Sequence, residues 1–169
     1  MGEQGDAGRG TGRRPLPGVE EVPVESMSPE TWRRRVVVGV DGSFGAEHAL
    51  RWAAKQARQA EAALDVVSVW EDLSPGAGPS LHDDPLRVAA ERLDRALETL
   101  VRDRDLPVRI ITAPLHGPPA QRLVERAKDA LLLVLGTTGI SSPEIPGGVG
   151  LYCVRHSTTP VVFVPPPAA

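Results

Sequence analysis

Apolar residues fall along this chain in two alternating patterns: short runs with few polar interruptions, and longer stretches in which they recur every three or four positions. The runs are Arg35 to Val40, Leu64 to Trp70, Pro107 to Ala113, Ala130 to Leu135 and Pro160 to Val164. Runs with little polar alternation are what parallel strands covered on both faces require. After the first run, Ala46, Ala49, Leu50, Ala53, Ala57 and Ala60 recur at helical spacing behind Ser43, whose hydroxyl suits it to a helix start. A second helix is predicted from Pro85 to Arg104, a third from Pro118 and Pro119 through Ala127, and a last from Gly148 to Ser157. Parallel neighbours need crossover connections, and these helices supply them. The pattern therefore predicts an α/β domain with a mostly parallel five-stranded sheet.

Residues 1–31 break the alternation. Gly and Pro fill 10 of the first 30 positions and charged residues another 9, too little apolar surface to offset the entropy of ordering. A disordered tail is expected there, followed by one domain over 32–165 and a Pro-rich end over 166–169. Met27 offers an alternative start. Arg33 to Arg35 read as solvated charges that guard an aggregation-prone Val strand.

Of 169 residues, 22 are acidic and 19 basic, a net charge of -3 that offers no basic field to a nucleic acid. No apolar stretch approaches the roughly 20 residues of a membrane span, and the N-terminus lacks a signal-peptide core. A soluble, cytoplasmic protein is expected. The single cysteine, Cys153, agrees with a reducing compartment and reads as a small buried hydrophobe.

Chemistry concentrates at two strand ends. Asp41, in Asp41-Gly42-Ser43, stands where the first strand stops, and in open α/β sheets ligands bind beyond the carboxyl ends of the strands. Gly136 to Gly150, GTTGISSPEIPGGVG, follows the fourth strand and precedes a helix. Glycines there let backbone N–H groups converge on a phosphate, although turn glycines in a surface loop would look the same. Ser43 reads as a helix cap rather than a nucleophile. His48, His82, His116 and His156 have no metal-ligand spacing, so no metal site is expected. A phosphoacceptor receiver domain would need a second acid cluster that the third strand end, Thr112-Ala113, does not supply.

Five segments together carry a resemblance: RVVVGVDGS, AEHALRWAAKQA, HGPPAQRLVERA, LLLVLGTTG and STTPVVFVP, in that order, resemble the universal stress protein family from about Arg34 to Pro165. The resemblance implies a doubly wound, Rossmann-like sheet of strand order 3-2-1-4-5 and a homodimer formed largely through the last strand, Pro160 to Val164. It further implies ATP, with or without magnesium, held between Asp41 and the glycine loop. Carried over by position, Asp41 would accept a hydrogen bond from the ribose or base, Val40 and Val69 would border the base, and Gly136 and Gly139 would open the phosphate loop. The third glycine would be Gly147, after seven residues where the family pattern has nine, and Gly148 and Gly150 stand where it has hydroxyls. Glu144 also brings negative charge to that loop. Any hydrolysis would be slow, because no general base is evident. Two readings stay open: a nucleotide-sensing stress-response module that presents a surface to a protein partner, or a dimeric interaction module of the same fold without nucleotide.

Overall fold

The computed structural model describes residues 20–21, 24–72, 84–104, 109–137 and 148–168. In chain order its elements are β1 (Glu20–Glu21), a 3-10 turn (Val24–Ser26), α1 (Pro29–Arg33), β2 (Arg35–Gly39), α2 (Phe44–Gln59), β3 (Ala63–Trp70), α3 (Pro85–Asp103), β4 (Arg109–His116), α4 (Pro119–Ala127), β5 (Leu132–Gly136), α5 (Gly148–His156) and β6 (Val161–Val164). All strand pairs are parallel, and the sheet runs β1-β4-β3-β2-β5-β6. The five strands read from the sequence are β2 to β6, so their order is the expected 3-2-1-4-5.

Two differences concern the amino-terminal side. The stretch expected to be disordered through residue 31 is ordered at its end: Ser28 caps α1 by accepting from the Thr31 N–H at 3.1 Å, and Glu20–Glu21 add a two-residue edge to β4. At β4 the strand continues past Ala113 to His116, carrying Pro114 opposite Ser68. Among the described residues no outer strand pairs along that part of β4, so an edge position tolerates a residue without an N–H.

Side-chain alternation divides the core. Val36, Val38 and Val40 face the cluster under α2 and α3, with Leu64, Val66, Ile110 and Val134 beside them. Val37, Val67, Leu133 and Leu135 face α4 and α5, where Cys153 is also buried. The two faces are covered because the chain leaves β2 for β3 and β4 on one side and returns to β5 and β6 on the other. The direction of progress reverses between β2 and β5.

The third arginine of the Arg33 to Arg35 run is not solvated. Arg35 is fully buried at the start of β2, against a fully buried Asp65 on β3, with Nε to Oδ2 at 3.2 Å. Arg126 of α4 reaches the same carboxylate through Nε at 2.7 Å and Nη2 at 3.1 Å. Arg35 also donates to the carbonyl oxygens of Trp32, Arg126 and Lys128, which makes it a cationic cap on the C-terminal end of α4. Thr159 donates to the Ala127 carbonyl at 2.7 Å and completes that cap. The Trp32 ring covers the cluster, 3.7 Å from the Arg35 guanidinium and 5.0 Å from that of Arg126. Burial lowers the Arg35 pKa, and Asp65 opposes that shift.

Candidate functional site

Because every strand points the same way, Asp41, Trp70, His116, Gly136 and Val164 end or follow their strands along one rim of the sheet. The gap between β2 and β5 opens onto this rim, and Asp41 and Gly136 stand on its two sides. The Asp41 carboxylate accepts from the Ser43 N–H at 2.9 Å, and Gly42 adopts φ +83, a left-handed turn in which glycine is unstrained. Ser43 accepts from the Ala46 N–H at 3.2 Å and caps α2, the role its position predicts. The turn thus points the N-terminus of α2 toward the rim, positive end outward.

Gly136 is fixed by packing. A Cβ there would lie 2.6 Å from the Gly45 carbonyl carbon and 2.7 Å from its oxygen, so only glycine lets the first turn of α2 rest on the end of β5. Gly148, at the start of α5, has nothing within 4 Å of a built Cβ and is open to substitution. Gly139 and Gly147 lie outside the described residues, as do Glu144 and the rest of 138–147.

The two valines expected at a base do not share a face. Val40 belongs to the cluster under α2 and α3, whereas Val69 packs against the cluster under α4 and α5. Their parity decides this: Val40 follows Val36 and Val38 on one side of β2, while Val69 follows Val67 on the other side of β3. Both remain at the rim, so a ligand seated above the strand ends could meet either, but no single pocket wall contains both.

Sequence reasoning missed the neighbours that long-range folding brings to this rim. A cavity of about 100 Å³ opens between α2 and α3 beside Val40, Gly42 and Ser43, and Arg92 and Arg95 of α3 line its other side. The Arg92 side chain passes over Gly42, with Cγ and Nε 3.6 Å from where a Cβ would stand. Farther along the rim, His116 Nε2 meets Asp72 Oδ2 at 2.9 Å, and the His116 ring lies 4.3 Å from that of Trp70. The Gly117 N–H donates to the Trp70 carbonyl at 2.9 Å and ties the ends of β3 and β4 together. Phe44 is exposed on the first turn of α2, with its ring centroid 4.6 Å from that of His48. Apart from Phe44 and His48, one helical turn apart, these pairs have no sequence signature, since each joins residues whose proximity depends on packing or on strand order.

Comparison with known proteins agrees with the geometry. The model of the Universal stress protein family matches residues 33–165. A universal stress protein of Mycobacterium tuberculosis is 30% identical over 145 residues, 85% of this chain and 53% of that protein. The chain spans about half the length of the curated relatives it matches. Among solved structures, the universal stress protein from Archaeoglobus fulgidus in complex with dAMP is 28% identical, with 76% of this chain and 95% of that one covered and a TM-score of 0.58. A universal stress protein in complex with cAMP is 29% identical, with 79% and 98% covered and a TM-score of 0.54.

Proposed function

Because this chain belongs to the universal stress protein family, we propose that it is a cytoplasmic stress-response module that binds an adenine nucleotide at the rim between β2 and β5. The observation that carries this reading is the placement of Asp41 and Gly136 on opposite sides of the switch point, where open parallel sheets bind ligands. Relatives of the same fold crystallised with dAMP and with cAMP support adenine nucleotides as the ligand class. Asp41 would accept from the ribose or the base. Gly136, Gly139, Gly147 and Gly148 would lie along the phosphates, and ATP, with or without magnesium, is the ligand proposed.

A second reading is favoured by one specific observation. Close packing on Gly45 accounts for Gly136 without any ligand, so that glycine would persist in a dimeric interaction module that binds no nucleotide. Calorimetric titration of the full chain with ATP and AMP, each with and without magnesium, decides between the two. Saturable binding is expected. Absence of heat at millimolar nucleotide would overturn the nucleotide reading and leave the interaction module.

A further inference from the structure

Arg92 and Arg95 are three residues apart on α3 and line the same cavity, and among the described residues neither has a hydrogen bond or an ion pair. Arg92 is half-buried and Arg95 exposed, so their like charges repel weakly, and an anion between them would relieve that repulsion. The wall they share also carries Thr99, a residue only 8% exposed, whose hydroxyl has no hydrogen-bond partner among the described residues. That hydroxyl lies on an open cavity, where a ligand oxygen could take the place of water. Across the cavity stands the first turn of α2, a helix of 16 residues that presents its positive end. The one acid in the wall, Glu47, is engaged by Arg51 at 2.7 Å.

From this convergence we infer that the α2–α3 cavity is a binding subsite for a phosphoryl group. Two guanidinium groups match the double charge and planar oxygen pairs of such a group, and the Thr99 hydroxyl supplies a neutral donor. The volume of about 100 Å³ admits a tetrahedral oxyanion. The Ser43 and Ala46 N–H groups are already used within the turn, so α2 contributes mainly through its dipole while the arginines make the direct contacts. The inference goes beyond the nucleotide reading, since either free phosphate or the phosphate of a small molecule would fill the cavity.

The test is titration of the isotope-labelled full chain with inorganic phosphate, AMP and adenosine, followed by amide resonances. Phosphate is expected to move the amides of Ser43 to Glu47 and of Thr99. Replacing both arginines (Arg92→Gln with Arg95→Gln) should weaken phosphate at least tenfold, and Thr99→Val several-fold, with the remaining spectrum unchanged. If AMP weakens in parallel while adenosine does not, the phosphoryl group is the nucleotide's. If only free phosphate weakens, the subsite belongs to the free anion, and both results support it. Phosphate that moves none of these amides, or that binds the double variant within twofold of the native chain, overturns the inference. Loss of AMP and adenosine binding with phosphate binding intact would overturn the nucleotide reading alone.

Discussion

Arg35 and Asp65 form an ion pair with no solvent exposure on either side chain, and Arg126 converts it into a triad with two cations on one carboxylate. Removing one member strands a buried charge, which typically destabilises by about 3–5 kcal/mol. Asp65→Ala should therefore be the most damaging single change at this end of the sheet, read as a lowered midpoint in urea denaturation with the slope unchanged. Arg35→Met should be milder, because the aliphatic stem still packs and Arg126 still serves the carboxylate.

Asp41→Ala separates a local structural role from a binding role. The carboxylate accepts from the Ser43 N–H, so its loss should lower stability by about 1 kcal/mol. If a nucleotide is held at the rim, the same change should weaken ATP by at least tenfold in calorimetry. Equal ATP affinity in both proteins would remove Asp41 from the site.

Two glycines should respond in opposite ways. Gly136→Ala forces a methyl group into the Gly45 backbone and should destabilise by about 1–3 kcal/mol. Gly148→Ser enters open space and should stay within about 0.5 kcal/mol of the native chain. Differential scanning calorimetry of the two variants checks both.

All four residues of β6 are partly exposed at a sheet edge, which normally must be paired or blocked. We expect a homodimer through this strand, and Val162→Lys should give a monomer by light scattering. A native chain that is monomeric at high micromolar concentration would rule that interface out.

Burial pushes the Cys153 thiol up from 9.0 to about 11. Above pH 9 the unfolded chain loses this proton while the folded chain keeps it, so stability falls as pH rises from about 9 to about 11 and then levels. Two pH units correspond to about 3 kcal/mol. The fall should be smaller by that amount in Cys153→Ala, measured by denaturation at pH 8, 10 and 11.

The sheet order, the helices and the Ser43 cap were legible in the sequence because each rests on local periodicity or on a short-range hydrogen bond. Arg35 was not. A charge at the end of a Val run reads as a solubility device, and only the pairing of β2 with β3, with α4 laid across them, shows that its partners lie 30 and 91 residues away. Residues 28–31, read as the end of a tail, lead into α1 for a related reason: Trp32, which follows them, stacks on that same distant cluster. At the candidate site Asp41 and Gly136 could be placed beside one gap from strand order alone. That Val40 and Val69 face opposite ways depends on which residue of each strand begins the alternation. Arg92 reaches Gly42 only through the packing of α3 on α2.

Parallel strands give this sheet two unlike rims. The charged triad under Trp32 lies at the end where strands begin, and Asp41, Arg92 and the open start of α5 lie where strands finish, about 15 Å away along the strands. The triad and the proposed binding rim thus share no residue. Changes along the far rim, Gly136 excepted, leave the triad untouched, so variants that differ there in what they bind should still unfold at similar temperatures.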